Sequence, residues 1–261
     1  MKRRSAARKA SRALVAASLT LMGCEGNPAP QAEGIRKELP LVPRRDDGPF
    51  RPGPDAEKTV EKAELKKINE PVKKSFQIGI IGDSMTDGVY FPDRYPDTLE
   101  RILKKKFPGS VVEPYGKNGQ TTKKLRARFQ RDILSHNYDT VIIQGGTNDI
   151  YMGYQVQPTK ENLEYMIEAA KKKGMMVLLL TVGPCHNYPK WTEKKEQRKE
   201  ELNQWIRQYP GVIVADTQAV LSEGDPPVMK KEFFHKDYIH PNGEGFDAMA
   251  KLIAESIAAT Q

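Results

Sequence analysis

Between residues 77 and 258, short apolar segments alternate with longer segments whose apolar residues recur at helical spacing. The short segments, four to eight residues each, are typical of buried strands; they span 77–81, 110–114, 140–144, 175–182 and 212–215. The helical spacing predicts helices over 95–107, 159–173, 192–209 and 245–258. A further helix is predicted to follow the loop at residues 116–122 and to end near residue 134. Strands that alternate with helices predict an α/β fold with a doubly wound, five-stranded, mostly parallel sheet.

Polar residues follow the ends of these strands. Ser84 follows the first strand, Gly119 the second and Asn148 the third, while Asp237 and His240 precede the last helix. The carboxyl ends of parallel strands lie at one edge of a sheet, where open α/β folds bind ligands. We therefore expect these residues to meet at that edge.

The residue types at this edge suit nucleophilic catalysis. A serine hydroxyl is a weak nucleophile and needs a base, which His240 supplies, and a group that orients the base, which Asp237 supplies. A tetrahedral intermediate also needs hydrogen-bond donors around its oxyanion. The backbone N–H groups of Ser84 and Gly119 and the Asn148 amide suit that role. Gly82 is expected to let the backbone turn before Ser84 without a Cβ penalty.

Four short blocks, in this order, resemble those of the SGNH (GDSL-type) hydrolase family: Gly82-Asp83-Ser84, the loop at Gly119, Gly146-Thr147-Asn148-Asp149 and Asp237-x-x-His240. The resemblance spans residues 76–258, with Met85 where the family name has leucine. It implies a flavodoxin-like three-layer sandwich and ester hydrolysis with no metal or cofactor. It also implies Ser84 as nucleophile, His240 as base, Asp237 as its partner, and an oxyanion hole of Ser84, Gly119 and Asn148.

Several residues near the blocks have simpler interpretations. Gly116 is an alternative to Gly119, which we prefer because the Gly-x-x-Gly-x-Thr-Thr shape resembles the family's loop. Asp83 and Asp149 are expected to brace loops by accepting backbone N–H bonds. Cys185-His186 has no matching second pair, so it does not predict a metal site.

The remaining side chains of interest are expected to play supporting parts. His136, His186 and His235 are expected at the surface or behind the site. Cys185 either lines the pocket or is a buried thiol, and Tyr188 and Trp191 either border the cleft or pack the following helix.

The charge of the chain is concentrated at its N-terminus. Six of the 42 Lys and Arg residues lie in residues 1–23, which contain no acid, and without them the net charge falls from +8 to +2. Residues 24–261 are therefore nearly neutral, and we expect no nucleic-acid partner. With only two cysteines, Cys24 and Cys185, a disulfide framework is excluded.

The first 74 residues have the pattern of an exported, lipid-anchored protein. A basic segment and a short apolar segment end at Leu21-Met22-Gly23-Cys24, which resembles a bacterial lipoprotein signal with Cys24 as the lipidated (palmitate-bearing) residue. A plain signal peptide with an incidental cysteine and a twin-arginine signal at Arg3-Arg4 are the alternatives. Residues 24–74 are rich in Pro, Gly and charge and predict a flexible tether, so the domain covers residues 75–261.

These features together predict an extracytoplasmic serine esterase at the cell envelope that removes O-acetyl groups from a carbohydrate or envelope substrate. A lysophospholipase or thioesterase could use the same residues, and a lipoprotein that only binds glycan is the non-catalytic alternative. A nucleotide phosphate loop at residues 79–88 lacks the Gly-Lys-Ser/Thr that it requires. The sequence leaves the oligomeric state open.

Overall fold

In the computed structural model of the protein, residues 75–88 and 94–261 are described. The predicted signal peptide over residues 1–23, its Cys24 and the tether up to residue 74 lie outside the described residues. None of the described helices is long and apolar enough to cross a membrane.

Five strands form one parallel sheet, as the sequence predicted, and their order in the sheet is β2-β1-β3-β4-β5. Their bounds are β1 (Gln77–Gly82), β2 (Val111–Gly116), β3 (Thr140–Ile143), β4 (Met176–Leu180) and β5 (Ile213–Ala215). Each begins and ends within two residues of its predicted segment. The strand next to β1 on each side follows it in the chain, so the sheet changes direction at β1, where Ser84 follows.

The described helices are α1 (Ser84–Asp87), α2 (Tyr95–Lys106), α3 (Thr122–Phe129), α4 (Thr147–Tyr151), α5 (Val156–Lys172), α6 (Glu193–Gln208), α7 (Thr217–Leu221) and α8 (Gly243–Ala258). The predicted helix ending near residue 134 is α3 extended by a π-helical turn, Gln130–Leu134. The predicted helix over 159–173 begins earlier, at Val156, because Pro158 fits the first turn, where no backbone N–H is needed.

The helices cover both faces of the sheet. On one face, Val141 and Leu179 pack with α3, α5 and α6; on the other, Ile142 and Leu178 pack with α2, α7 and α8. Alternate residues of a strand point to opposite faces, so strands covered on both sides are apolar throughout. The three-layer sandwich that the resemblance implied is confirmed.

Between β5 and α8, where the sequence pattern predicted neither a helix nor a strand, the chain forms several short elements. They are α7, a two-stranded antiparallel hairpin of β6 (Ser222–Glu223) and β7 (Val228–Met229), and a 3₁₀ turn, Lys231–Phe233. These elements are two to five residues long, too short for hydrophobic periodicity to reveal them. They lead the chain back to the carboxyl edge of the sheet, where Asp237 and His240 lie.

Candidate active site

Ser84 lies at the start of α1, directly after β1. The Asp83 side chain caps this short helix by accepting a hydrogen bond from the backbone N–H of Met85 (3.0 Å). Gly82 is required for a different reason from the one predicted. Its φ is not positive, but a Cβ there would lie 2.0 Å from Oγ1 of Thr86. The close approach of α1 to the strand end therefore excludes any side chain at this position.

Ser84, His240 and Asp237 form a hydrogen-bonded chain. Nε2 of His240 lies 2.8 Å from Oγ of Ser84, and Nδ1 of His240 lies 2.7 Å from Oδ2 of Asp237. A carboxylate can only accept, so Nδ1 carries the proton and Nε2 is left to accept from the serine hydroxyl. Ser84 and His240 are both buried. The arrangement can remove a proton from the serine when the hydroxyl attacks.

Asp237 is held in its charged form. Its Oδ1 accepts hydrogen bonds from the backbone N–H groups of Ile239 and His240, both at 3.0 Å. Partial burial alone would raise its pKa, but these two donors and the His240 ring outweigh it and lower the pKa of Asp237 to about 2. Asn242 then caps α8 by accepting from the N–H of Gly245 (3.1 Å), which ties the loop to that helix.

The three predicted oxyanion donors differ in their present bonding. The N–H groups of Ser84 and Gly119 donate to none of the described residues. The Asn148 Nδ2, in contrast, donates to the carbonyl of Gln120 (3.0 Å) and to Oδ2 of Asp83 (3.2 Å). The two backbone groups therefore have no acceptor in the described part of the chain, whereas the Asn148 amide already has two.

The loop that carries Gly119 is tied to the Ser84 loop. The N–H of Lys117 donates to the carbonyl of Gly82 (3.1 Å), and the N–H of Asn118 donates to the Asp87 carboxylate (3.1 Å). Gly119 has a φ of +69°, which glycine adopts without strain. The backbone around Gly119 is thus held beside Ser84 in a conformation that favours glycine.

Asp83 and Asp149 brace loops, as the sequence predicted. Asp149 accepts from the N–H (2.9 Å) and hydroxyl (2.6 Å) of Thr122, which joins α4 to α3. Asp83 also orients the Asn148 amide, which the sequence did not predict. Complete burial raises the pKa of Asp83 to about 6.

Arg128 is a positioning residue that the sequence did not single out. Its buried guanidinium donates to the carbonyls of Gly82 (2.9 Å) and Tyr115 (2.8 Å) and to the side chain of Gln120 (2.7 Å), and it pairs with Asp132 (2.7 Å). It therefore fastens the ends of β1 and β2 to the loop that carries Gly119. On α3, whose other charges face solvent, nothing in the sequence distinguishes an inward-facing arginine.

The structure shows the surroundings of Cys185, Trp191 and Tyr188, for which the sequence left two interpretations open. Cys185 is a buried thiol whose pKa burial raises to about 12. Trp191 is buried and donates to Glu196 (2.7 Å) in the first turn of α6, so it packs the start of that helix. Tyr188 is half-buried, with its hydroxyl 3.5 Å from that of Tyr151. Among residues 75–88 and 94–261, no three His, Cys, Asp or Glu side chains are grouped so that they could hold a metal ion.

Comparison with known proteins identifies the family that this chain matches. The profile of the GDSL-like Lipase/Acylhydrolase family matches residues 80–248. An acetylxylan esterase of Xylanibacter ruminicola is 27% identical over 74% of this chain and 45% of its own length. An acetylxylan esterase of Geobacillus stearothermophilus is 27% identical over 68% of this chain and 91% of its own length. The chain thus spans less than half the length of the first relative.

The fold also matches a solved structure. A GDSL-like lipase from Bacteroides thetaiotaomicron superimposes with a TM-score of 0.61 at 27% identity, covering 79% of this chain and 99% of that one. The likeness covers the five-stranded parallel sheet and the helices on both of its faces.

Proposed function

We propose that this chain, which belongs to the GDSL-like lipase/acylhydrolase family, is a serine esterase in which Ser84 is the nucleophile, His240 the base and Asp237 its partner. The observation that carries the proposal is the continuous hydrogen-bonded chain from Ser84 through His240 to Asp237 (2.8 and 2.7 Å). This is the geometry that activates a serine and stabilises the imidazolium that forms.

The reaction proceeds through an acyl-enzyme. Oγ of Ser84 attacks the ester carbonyl while Nε2 of His240 takes its proton. The tetrahedral intermediate then collapses, the C–O bond to the alcohol breaks, and His240 returns the proton to the leaving oxygen. Water, deprotonated by His240, attacks the acyl-serine and releases the acid and free Ser84.

The oxyanion of the tetrahedral intermediate is stabilised by the N–H groups of Ser84 and Gly119 and by the Asn148 amide. The two backbone donors are supported by their lack of acceptors among the described residues. The Asn148 amide has to share or release its bond to Gln120 or Asp83 when the oxyanion forms. One such donor contributes on the order of 10²-fold or more to kcat.

The substrate class that we propose is an O-acetyl ester on a carbohydrate of the cell envelope or its surroundings. Two relatives that act as acetylxylan esterases support this class, and one of them is matched over 91% of its length. The absence of a long apolar run around the four sequence blocks also favours a short acyl group over a fatty acyl chain. A lysophospholipase or thioesterase would instead prefer a long acyl chain.

We further propose that Cys24 is lipidated and holds the enzyme at the membrane outside the cytoplasm. The support is the lipoprotein-like segment Leu21-Met22-Gly23-Cys24 after a basic and an apolar segment. The wild-type chain is expected to take up labelled palmitate and to fractionate with membranes, and Cys24→Ala is expected to do neither. Equal palmitate labelling of both would contradict the anchor.

The activity is tested by comparing hydrolysis of p-nitrophenyl acetate and octanoate by the full chain, Ser84→Ala and Ser135→Ala. Ser135 is an exposed serine outside the site and serves as the matched control. We expect Ser84→Ala to lose kcat on the order of 10³-fold or more, with Ser135→Ala unchanged and the acetate preferred. Octanoate preference would favour the lipid or thioester substrate. Equal inactivity of wild type and Ser84→Ala on both esters would contradict the esterase and leave glycan binding to be tested.

A further inference from the structure

Three positively charged side chains near the carboxyl edge of the sheet have no carboxylate partner. Lys190 is exposed just before α6, and Lys195 and Arg198 are half-buried in its first two turns. Among residues 75–88 and 94–261, no acid forms an ion pair with any of them. The acids at this end of α6 are paired elsewhere or exposed: Glu196 and Glu200 pair with Lys199, Glu201 pairs with Lys160, and Glu193 is exposed. The proposed mechanism gives these three cations no role.

Two tyrosines connect the cations to the proposed active site. Tyr151 ends α4, the helix that presents the Asn148 amide, and Tyr188 lies in the segment after β4; their rings meet edge to face, with centroids 5.7 Å apart. Since β3 and β4 are neighbours, the segments that follow them lie side by side at the carboxyl edge. The hydrogen bond with Tyr151, desolvation and the charge of Asp237 all raise the pKa of Tyr188, so its phenol lies within electrostatic reach of that carboxylate. The aromatic pair therefore borders the site.

Lys195 is held against Tyr151 by two contacts. Its Nζ donates to the carbonyl of Lys190 (2.9 Å) and lies 4.6 Å from the centre of the Tyr151 ring, a cation–π distance. The hydrogen bond with Tyr188, and then the charges of Lys190 and Lys195, lower the pKa of Tyr151, so both ammonium groups lie close to one phenol. An ammonium has three N–H donors, and the carbonyl of Lys190 takes only one. Lys195 therefore keeps donors for an acceptor on a ligand.

Arg198 extends the positive surface along α6. It lies three residues after Lys195, on the same face of the helix. Its Nη1 donates to the carbonyl of Gly153, in the turn after α4 (2.6 Å). A guanidinium has five N–H donors, and the rest have no acceptor among the described residues. The bond to Gly153 thus fixes Arg198 beside the aromatic pair and leaves most of its donors for a ligand.

We propose that Lys190, Lys195 and Arg198 form a basic rim that binds a negatively charged group, a carboxylate or a phosphate, on the carbohydrate that carries the ester. This inference rests on the proposed function, because it specifies the substrate of the same site. It narrows that substrate from an O-acetyl ester of any carbohydrate to one of an acidic carbohydrate.

The physical reason is that the cations of the basic rim oppose one another and the helix that carries two of them. Lys195 and Arg198 repel each other at a spacing of three residues. Lys195 also lies in the first turn of α6, where the helix dipole disfavours positive charge. An anion on the substrate offsets both effects. The rings and hydroxyls of Tyr151 and Tyr188 supply the apolar and polar contacts that a sugar ring takes.

The test compares three methyl glucosides, each acetylated at the same single hydroxyl, as substrates of the full chain. One has the ordinary primary alcohol, one has a carboxylate in its place, and one carries a phosphate on it, so only the charged group differs. Acetate release gives kcat and KM for each ester. The readout is the ratio of kcat/KM for an anionic ester to kcat/KM for the neutral ester, which cancels any loss common to all substrates, including partial unfolding of a variant.

We expect a wild-type ratio of about tenfold for at least one anion at low salt, falling toward one at about 0.5 M NaCl, because salt screens such charges. Lys195→Gln and Arg198→Gln should each lower the ratio about two- to fivefold, mainly through KM. Lys195→Arg keeps the charge and should retain most of the ratio. Lys194→Gln, at an exposed neighbouring position in α6, is the matched control and should keep the wild-type ratio.

Two results would overturn the basic rim. One is a wild-type ratio near one for both anions. The other is a wild-type preference that the triple variant Lys190→Gln/Lys195→Gln/Arg198→Gln leaves unchanged. A preference that the triple variant abolishes supports the proposal, and the larger of the two wild-type ratios identifies carboxylate or phosphate as the group that is bound.

A binding readout separates this inference from the esterase proposal. In the Ser84→Ala chain, saturation-transfer NMR compares binding of the same three esters without turnover. We expect an anionic ester to bind more tightly than the neutral one and Lys195→Gln to reduce that difference. Equal binding of all three esters would overturn the basic rim. Absence of Ser84-dependent hydrolysis in the wild type, with the binding difference intact, would instead contradict the esterase alone.

Discussion

Two aspartates beside Ser84 have the same side chain and opposite electrostatic environments. Asp83, after β1, is completely buried, and burial raises its pKa to about 6. Asp237, before α8, keeps 29% of its side chain exposed and has its pKa lowered to about 2 despite partial burial. Burial raises the pKa of both carboxyls, but it is complete at Asp83 and only partial at Asp237. At Asp237, two backbone N–H groups and an imidazole outweigh burial, whereas at Asp83 the bonded donors do not.

The two aspartates are therefore suited to different roles in the same site. A carboxylate that stays charged can stabilise an imidazolium, which is what the partner of His240 must do. A deeply buried carboxylate is suited to orienting neighbours, and Asp83 accepts from Met85 and from the amide of Asn148. Pairs of titratable groups whose pKa values are pushed apart in this way are typical of active sites.

The largest effect should follow from neutralising Asp237. Asp237→Asn is expected to lower kcat on the order of 10³-fold, because an amide can stabilise neither the required tautomer nor the imidazolium of His240. Asp225→Asn, in the exposed hairpin between β6 and β7, is the matched control. A loss of less than about tenfold in kcat would show that Asp237 is not the partner of the base.

A smaller effect on kcat is expected when Asp83, the buried aspartate, is replaced. Asp83→Asn keeps an acceptor for the Met85 N–H but turns an amide N–H₂ toward that of Asn148, so the Asn148 amide should lose its orientation. We expect kcat to fall about 10- to 100-fold with KM little changed, as for loss of one oxyanion donor. Should KM rise while kcat stays the same, Asp83 would be acting on substrate binding instead.

The two aspartates should also affect stability with opposite pH dependence. The unfolded chain releases the Asp83 proton near its ordinary pKa of 3.8, whereas the folded protein keeps it to about 6. The contribution of Asp83 to folding stability therefore falls as the pH rises from about 4 to about 6, by about 3 kcal/mol at most. Asp237 contributes the reverse: its stabilisation is present above about pH 4 and is lost as the pH falls through about 2.

Urea unfolding of wild type, Asp83→Asn and Asp237→Asn at about pH 4, 5, 6 and 7 measures these contributions. The stability of Asp83→Asn relative to wild type should increase over this range and then level off. The stability of Asp237→Asn relative to wild type should stay nearly constant across it. Parallel curves for wild type and Asp83→Asn would mean that Asp83 ionises at its ordinary pKa despite burial.

Much of the fold was predictable from sequence because its strands are buried on both faces. A segment such as residues 140–143 is apolar throughout, and the helices between strands have clear periodicity, so the order of elements follows from the pattern. The elements between Asp216 and Asp237 were not predictable. These elements are too short to show hydrophobic periodicity. They also depend on contacts with distant residues, such as the bond from the Met229 N–H to Asn187.

The site was predictable to the extent that its residues follow strand ends in short motifs. Ser84, His240 and Asp237 form one hydrogen-bonded chain, and Asn148, at the start of α4, bonds to Asp83 and to Gln120 of the Gly119 loop. The supporting contacts were not predictable, since they depend on how distant segments pack. The buried Arg128 and the contact of Lys195 with the Tyr151 ring have no signature in local sequence, where a charged or loop residue normally indicates solvent exposure.

The central claim is that Ser84 attacks the ester and carries the acyl group. It is tested most directly by mixing the full chain with p-nitrophenyl acetate, quenching in acid within the first turnover, and locating the acetyl group by peptide mass spectrometry. The account predicts one acetyl group on the peptide containing Ser84, formed in a burst with p-nitrophenol and absent from Ser84→Ala and His240→Ala. Acetylation of another residue, or undiminished hydrolysis by Ser84→Ala, would contradict it.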